Sequence, residues 1–336
     1  MRKPIFLLLL ISFSNMYSQN IFEYEREISD KEKYIFQEVE FENTDDNIKL
    51  SGTLITPKSD FDKIIIIVPG SGKDTRYSHP KMADSFLKNN IGVYRFDERG
   101  VGKSGGDYSQ KATTLKNDLH YCVNSLLTLD NIKNKKIGIL GHSLGGIASI
   151  GIFEYKPKVD FLIQMSTPVN AGQSFKSKVS ELDVFKNRKS TIEEFEKAID
   201  TFNYVIHSLN GYSKIKNECE RLRKKMKVDK FISEAYLSPQ IIDIVKLETE
   251  LYYKNINIPM LYIIGKKDEN IDVQYSILKL KEFDNDFISI KVLENFDHYL
   301  TQNNGKWSSS KKSIDREIDD IAMDKIINWV NRIKKN

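Results

Sequence analysis

The sequence predicts an α/β protein built on a mostly parallel, doubly wound sheet, and three observations carry this prediction. Strand-like apolar runs alternate with helix-like segments through both halves of the 336-residue chain, as in right-handed β-α-β units. The run at residues 63–68 is unbroken and rich in isoleucine, which is typical of a strand buried on both faces of a parallel sheet. The alternation stops once, over residues 169–257, where only helical patterns occur.

Six strands and three helices are expected before this interruption. Residues 39–42 and 48–55 alternate apolar and polar side chains around a polar stretch, which predicts an antiparallel hairpin at one edge of the sheet. The remaining strands are expected at 63–68, 91–96, 137–140 and 159–165, and the helices at 80–89, at 114–129 and directly after residue 143.

The interruption itself predicts a helical cap inserted into the α/β core. Five apolar residues follow helical spacings of three and four, namely Ile192, Phe195, Ile199, Phe202 and Ile206. Ser190 and Glu193 have the spacing of a capping box at the start of this helix. An insertion that follows a strand's carboxyl end covers that edge of the sheet, so we expect Phe195 and Phe202 to line a substrate pocket there.

Strands and helices resume after the cap and complete the core. Strands are expected at 258–265 and 287–293, with a helix between them that ends near residue 283 and a closing helix striped by Ile326, Trp329, Val330 and Ile333. The expected organisation is therefore a core formed by residues 20–168 and 258–336, interrupted by a cap at 169–257.

One motif carries chemistry, the segment Gly141-His142-Ser143-Leu144-Gly145-Gly146. A Gly-x-Ser-x-Gly motif between a buried strand and a helix is the signature of a nucleophile elbow, in which the serine sits on a tight turn above the sheet. Glycines at 141 and 145 leave room for that turn and tolerate strained backbone angles. The N–H of Leu144, at the start of the following helix, can donate to a developing oxyanion.

A serine nucleophile on this scaffold requires an acid and a base in the chain order serine, acid, histidine. Only His207 and His298 follow Ser143, and His207 lies in the cap, so His298 after the last strand is the predicted base. Asp268, three residues after Gly265, is the predicted acid that orients the imidazole, with Glu269 as the alternative.

The second oxyanion donor is expected from the glycine-rich segment after the strand at 63–68. We predict the N–H of Ser71, with Gly72 as the alternative.

Two glycine patterns resemble nucleotide-binding motifs. Residues 70–73 lack the length and the ending of a phosphate-binding loop. The pattern Gly100-x-Gly102-x-x-Gly105 opens a polar loop and not a helix, unlike a dinucleotide-binding motif. We therefore expect no cofactor. The segment around Gly100-x-Gly102-x-x-Gly105 is instead expected to be a tight loop that shapes the pocket floor, with Asp97 and Arg99 in local ion pairs. No metal-ligand spacing occurs in the sequence, so no metal is expected.

Composition and termini limit the partners. Lys and Arg number 51 and Asp and Glu 47, a net charge of +4, which predicts a solvated surface and no nucleic-acid partner. Arg2 and Lys3 precede an apolar run of about ten residues and a polar stretch, as in a secretory signal too short to span a bilayer. We expect residues 1–19 to be a signal peptide, a membrane-anchoring helix being the alternative, and the protein to be periplasmic or extracellular without a stable membrane span.

The chain resembles the α/β-hydrolase superfamily, and more narrowly bacterial carboxylesterases of the EstD type, near the serine aminopeptidase-like hydrolases. The resemblance is carried by residues 52–54, 69–76, 94–106 and 141–146, and it spans about 38–168 and 258–335. The pattern Gly-Ser-Gly-Pro-x-Asp-Arg of these esterases is altered by Lys73 and by the additional Thr75. The resemblance implies an α/β-hydrolase fold and hydrolysis of small carboxylic esters without a cofactor.

The predicted activity is thus that of an exported serine esterase with a Ser143–His298–Asp268 triad. A serine aminopeptidase or amidase would need acidic groups facing the pocket, and a thioesterase would use a basic groove such as residues 221–230. A non-catalytic binding protein would show a damaged triad. The oligomeric state and the natural substrate stay open.

Overall fold

The computed structural model describes residues 26–180, 190–302 and 317–334, and one sheet of eight strands lies within them. The strands are β1 (Tyr34–Asn43), β2 (Ile48–Pro57), β3 (Lys63–Val68), β4 (Ile91–Phe96), β5 (Lys136–His142), β6 (Phe161–Met165), β7 (Met260–Gly265) and β8 (Ile288–Leu293). Their order across the sheet is β1-β2-β4-β3-β5-β6-β7-β8. The hairpin β1–β2 and the pair β2–β4 are antiparallel, and all other neighbours are parallel. The mostly parallel sheet with an edge hairpin is confirmed.

The unbroken apolar sequence of β3 follows from burial on both faces. Ile64, Ile66 and Val68 belong to the hydrophobic cluster on one face of the sheet, whereas Ile65 and Ile67 belong to the cluster on the other face. Because successive side chains of a strand point to opposite faces, only a continuous apolar run satisfies both clusters. A central strand of a doubly wound sheet therefore shows no period of two.

The described α-helices cover both faces of this sheet or lie between β6 and β7. They are α1 (Pro80–Lys88), α2 (Ala112–Leu126), α3 (Leu144–Gly151), α4 (Ala171–Ser180), α5 (Ile192–Ser208), α6 (Tyr212–Met226), α7 (Lys230–Tyr236), α8 (Pro239–Lys246), α9 (Thr249–Asn255), α10 (Val273–Glu282) and α11 (Asp320–Val330). Helices α1 and α11 pack on one face, and α2, α3, α9 and α10 pack on the other. The sheet is thus doubly wound, as predicted.

Helices α4 to α8, which we call the cap helices, have a hydrophobic cluster of their own. Its fully buried side chains include Phe195, Ile199, Phe202 and Ile206 of α5. Helix α9 instead packs on the sheet, where the Tyr253 hydroxyl donates to Oε1 of Gln164 at 3.0 Å. The helical segment between β6 and β7 therefore divides between a separate cluster and the core.

The capping box of α5 lies one residue later than expected. The Glu194 N–H donates to Oγ1 of Thr191 at 3.2 Å, and the Thr191 N–H donates to Oε2 of Glu194 at 3.0 Å. Ser190 instead accepts the N–H of Asp229 at 2.8 Å. The assignment of the box to Ser190 and Glu193 was wrong, because that serine oxygen is used to join α5 to the start of α7.

The six parallel strands β3 to β8 have their carboxyl ends at one edge of the sheet. Val68 at the end of β3 pairs with Gly141 of β5, and Gly265 at the end of β7 pairs with Leu293 of β8. Functional groups that follow parallel strands collect at such an edge.

Among the described residues, no helix is long and apolar enough to cross a membrane. Cys122 and Cys219 are both buried and unpaired.

Candidate active site

Ser143 occupies a strained turn between β5 and α3. Its φ is 52° and its ψ is −115°, a combination that residues with a side chain rarely adopt. The turn is held in place because the Ser143 N–H donates to the Met165 carbonyl at 3.0 Å and the Ser143 carbonyl accepts the Ile147 N–H at 3.1 Å. This is the geometry of a nucleophile elbow.

The glycines of the motif provide space for this turn. A Cβ at Gly145 would lie 2.2 Å from the Pro69 carbonyl oxygen, and one at Gly141 would lie 2.6 Å from the Gly145 carbonyl oxygen. A positive φ occurs at Ser143 itself and at neither of these glycines. The expectation that the glycines carry the strained angles was therefore wrong, whereas the expectation that they remove a clash is confirmed.

Asp268 and His298 form a buried pair at the ends of β7 and β8. His298 Nδ1 lies 2.8 Å from Oδ2 and 3.0 Å from Oδ1 of Asp268. The carboxylate also accepts the N–H groups of Asn270 at 2.8 Å and Ile271 at 3.1 Å. Because a carboxylate only accepts, Nδ1 carries a proton, and the lone pair of the neutral imidazole is then on Nε2. Glu269 is exposed, so the structure pairs Asp268 and not Glu269 with His298.

One cavity of about 400 Å³ contains both Ser143 and His298 in its wall. Its other lining residues come from the β3–α1 loop, α1, the ends of β5, β7 and β8 and the segment before α11: Gly70, Ser71, Asp74, His79, Pro80, Lys81, Met82, His142, Asn270, Tyr299, Glu317 and Ile318. Ser143 is half-buried and therefore accessible from this cavity. A proton acceptor and a hydroxyl thus meet in one space of small-molecule size.

Of the two residues predicted to donate to an oxyanion, Ser71 lines this cavity and Leu144 is adjacent to Ser143 in the chain. Leu144 is the first residue of α3, so its N–H has no partner within the helix. The β3–α1 loop runs beside Ser143, since a Cβ at Gly70 would lie 3.4 Å from the Ser143 Cβ. Ser71 lines the cavity, whereas the carbonyl of Gly72 accepts the Tyr108 hydroxyl. Ser71 therefore lies in the loop beside Ser143, and Leu144 follows Ser143 directly at the start of α3.

An ion pair anchors the β3–α1 loop from the loop that follows β4. The Arg76 guanidinium donates to Oδ2 of Asp97 from Nε at 3.1 Å and from Nη2 at 2.8 Å, and the Arg76 N–H donates to Oδ1 at 2.8 Å. Arg99 instead pairs with Asp118 at 2.6 Å. The ion pair of Asp97 is therefore with the preceding loop, which corrects the expectation of local ion pairs, although its carboxylate also accepts the N–H of Lys103 at 2.8 Å.

The glycine-rich loop after β4 is tight, as predicted, but it acts on the cavity indirectly. Gly102 has a φ of +55°, and a Cβ there would lie 2.4 Å from the carboxylate carbon of Asp97. None of the cavity's described lining residues belongs to 100–105. The loop wraps the carboxylate that anchors Arg76 and is not the pocket floor.

Phe195 and Phe202 lie elsewhere than predicted. Both are fully buried in the hydrophobic cluster of the cap helices, and no described residue of those helices lines the cavity at Ser143. The apolar face of α5 is covered by its neighbouring helices, so the prediction that these two residues line the substrate pocket was wrong.

Sequence reasoning missed two histidines of the site. The His142 ring lies 5.1 Å from the His298 ring and 5.4 Å from the His79 ring, measured between centroids. Burial lowers the pKa of His79 to about 4, with a contribution from Arg95. Burial, together with the charges of His298 and His79, holds the pKa of His142 well below its usual range. The position of His142 beside Ser143 was the only signal in the sequence.

Within the described residues, no group of three or more His, Cys, Asp or Glu side chains is arranged to hold a metal ion. The chemistry available from these residues is a hydroxyl nucleophile, an imidazole base with its carboxylate, and backbone donors for an oxyanion.

Comparison with known proteins agrees with this geometry. The family model described as "Serine aminopeptidase, S33" matches residues 59–304. No curated protein sequence matches the chain significantly. An esterase of Pyrococcus furiosus is similar in structure, with 19% identity, a TM-score of 0.54 and coverage of 89% of this chain and 93% of that chain. A meta-cleavage product hydrolase from Pseudomonas fluorescens has 17% identity, a TM-score of 0.51 and coverage of 86% and 96%. A 2,6-dihydroxy-pseudo-oxynicotine hydrolase has 18% identity, a TM-score of 0.55 and coverage of 89% and 69%.

Proposed function

Because the chain belongs to the serine aminopeptidase (S33) family of α/β hydrolases, we propose that it is a serine hydrolase that cleaves carboxylic esters through an acyl-enzyme. The observation that carries the proposal is the Asp268–His298 pair at 2.8 Å beside the cavity that Ser143 enters from a strained turn. This arrangement supplies a nucleophile, its base and the group that orients the base.

The proposed reaction has two halves. Ser143 Oγ attacks the ester carbonyl carbon while His298 Nε2 takes its proton, and the N–H groups of Ser71 and Leu144 stabilise the negative carbonyl oxygen. His298 then gives the proton to the departing alcohol as the C–O bond breaks. Water, deprotonated by His298, hydrolyses the acyl-enzyme and restores Ser143.

Covalent labelling and a substrate panel test this proposal. A fluorophosphonate should label Ser143, as located by peptide mass analysis, and Ser143→Ala should leave less than about a thousandth of the wild-type ester hydrolysis. Nitrophenyl esters, aminoacyl amides and acyl-CoA thioesters should be compared by kcat/KM. An unlabelled wild-type protein, or an active Ser143→Ala variant, would overturn the assignment.

A serine aminopeptidase or amidase is the second candidate, and two carboxylates favour it. Asp74 and Glu317 both line the cavity, and recognition of a free amine requires negative charge. Glu317 forms an ion pair with Arg26, however, which offsets its charge at the cavity. A higher kcat/KM for aminoacyl amides than for esters in the same panel would favour this candidate.

The thioesterase alternative has less support. Arg221, Arg223 and Lys230 of the basic run each pair with a glutamate within one helical turn, and none of them lines the cavity. The charged residues of the run are thus paired within the cap helices and do not form a basic groove at the cavity.

We also propose that the chain is exported and that residues 169–257 are an insertion whose helices α4 to α8 form a cap, whereas α9 packs on the sheet. The predicted signal peptide, residues 1–19, lies outside the described residues. The separate hydrophobic cluster of α4 to α8 supports a cap. Fractionation of cells and N-terminal sequencing of the mature protein test export, and a protein retained in the cytoplasm with an intact N-terminus would contradict it.

A further inference from the structure

His142 lies next to the proposed nucleophile Ser143, the proposed base His298 and the loop that carries Ser71. It precedes Ser143 in the chain, its side chain is 3% exposed, and its ring contacts the ring of His298. A Cβ placed on Gly70 would lie 3.3 Å from His142 Nδ1, so the ring also lies against the loop that carries Ser71. No step of the proposed reaction uses this ring.

The ring makes a directional contact with the main chain of His298. His142 Nε2 lies 3.2 Å from the His298 carbonyl oxygen. Because a carbonyl only accepts, Nε2 carries the proton and donates it, and a neutral His142 has its lone pair on Nδ1. The side chain of the residue before the nucleophile thus binds the backbone of the base.

The other contacts of the His298 segment fix the orientation of the imidazole ring and the shape of the turn, but not the position of the turn relative to Ser143. Asp268 holds the imidazole ring through Nδ1. The Asp297 carboxylate accepts the N–H groups of Tyr299 and Thr301, each at 3.0 Å, and so holds the turn together internally. The hydrogen bond from the His142 ring instead joins this turn to the residue that precedes Ser143.

We infer that His142 is a positioning residue whose ring N–H, through the His298 carbonyl, sets the distance between the base and Ser143. This inference rests on the proposed function, since it assigns a role relative to the triad. Reacting groups must be held within a fraction of an ångström of their productive geometry, and an error of about 1 Å costs on the order of 100-fold in rate. Neutrality of the ring is part of the arrangement, because an imidazolium beside His298 would disfavour the protonated base that forms during the reaction.

Three substitutions separate the hydrogen bond from the volume of the ring. In glutamine the amide nitrogen is as many bonds from Cα as Nε2 is in histidine, whereas in asparagine it is one bond closer. His142→Gln should therefore keep the donor and retain kcat within about tenfold of wild type. His142→Asn and His142→Leu should each lose about 100-fold in kcat, and KM should change by less than kcat, because the ring borders the cavity but its hydrogen bond fixes the base and not the substrate.

The measurement is kcat per competent site, with sites counted by the burst of product or by fluorophosphonate titration, so that misfolded protein does not count. His120→Leu on α2 is the matched control, a half-buried histidine outside the cavity, and it should keep wild-type kcat. If His142→Leu is as fast per site as wild type, or if His142→Gln is as slow as His142→Leu, the inference is wrong and His142 only packs.

Failure of the proposed function gives a different result. In that case the wild-type protein itself shows neither labelling at Ser143 nor ester turnover. A labelled, active wild type whose three His142 variants match it in kcat rejects the positioning role alone.

Discussion

Ser143 carries positive φ with a side chain attached, a conformation that costs on the order of 1–3 kcal/mol and is observed here at φ 52°. The surrounding glycines allow α3 to approach β5 and the end of β3 closely, since a Cβ at Gly141 would lie 2.6 Å from the Gly145 carbonyl oxygen and one at Gly145 would lie 2.2 Å from the Pro69 carbonyl oxygen. The strain directs Ser143 into the cavity, which is why the motif needs small residues two positions away on either side. Local sequence could indicate the turn but not which residue bears the strain.

Asp268→Asn tests the acid at this scale. The amide oxygen can still accept the N–H groups of Asn270 and Ile271, so the loop should keep its shape. An amide that donates to Nδ1 would force the wrong tautomer on His298, and kcat should fall by roughly 10⁴-fold. Glu269→Gln should change kcat little because Glu269 is exposed. Steady-state ester hydrolysis measures both, and the reverse pattern would move the acid to Glu269.

At the scale of elements, periodicity predicted that α5 has an apolar face but not what covers it. The stripe is buried against the other cap helices, a partner that no local pattern encodes. The capping box shows the same limit. Ser190 with Glu193 and Thr191 with Glu194 have identical spacing, and only the tertiary bond from Asp229 to Ser190 decides between them.

The buried stripe leads to a stability prediction for the cap helices. Phe202→Ala removes a fully buried ring and should destabilise the protein by about 3–5 kcal/mol, with a thermal midpoint several degrees lower. The relative kcat/KM across esters of increasing acyl length should not change, because Phe202 does not line the cavity. Ile192→Ala on the same helix is the control and should have a small effect, since Ile192 is 42% exposed. A shifted length profile would restore the prediction that Phe202 lines the substrate pocket.

The β3–α1 loop leads to a catalytic prediction. Tyr108→Phe removes the hydroxyl that donates to the Gly72 carbonyl, next to Ser71. The oxyanion donor should then be less well fixed, so kcat should fall by about tenfold with KM nearly unchanged, at a stability loss of about 1 kcal/mol. Tyr121→Phe loses a hydroxyl contact with Thr44 on the edge hairpin and should keep wild-type kcat. Equal rates for both variants would show that the loop is held without Tyr108.

At the scale of the molecule, the topology explains what could be predicted. Ser143, Asp268 and His298 were found because each follows a strand and their chain order is fixed by the scaffold. His79 and His142 were not, since their meeting depends on β3 and β5 being neighbours and on the path of the β3–α1 loop. A sequence gives the order of strands along the chain, whereas the side chains that meet across the sheet edge depend on the order of strands in space.

This histidine cluster predicts acid sensitivity of the whole fold. His79 has its pKa lowered from 6.5 to about 4 and His142 has its pKa lowered in the same direction. Below pH 6.5 the unfolded chain binds protons at these positions, whereas the folded chain does not. The free energy of unfolding therefore decreases as the pH is lowered from 6.5 to the pKa of these histidines in the folded protein. Full stability is present above pH 6.5. The His79 share of the loss is at most about 3 kcal/mol, and less because His79 is half-buried and water screens it.

His79→Gln isolates that share. The glutamine does not titrate, so denaturant unfolding followed from pH 7 to pH 4 should show a shallower loss of stability in the variant than in the wild-type protein. The two proteins should diverge below pH 6.5, where the wild type alone would take up a proton at position 79 on unfolding. His120→Gln, at a half-buried position on α2 where burial also lowers the pKa of the histidine, controls for removal of a histidine outside the cavity. Parallel curves for the wild type and His79→Gln would mean that His79 is protonated in the folded protein as readily as in the unfolded chain.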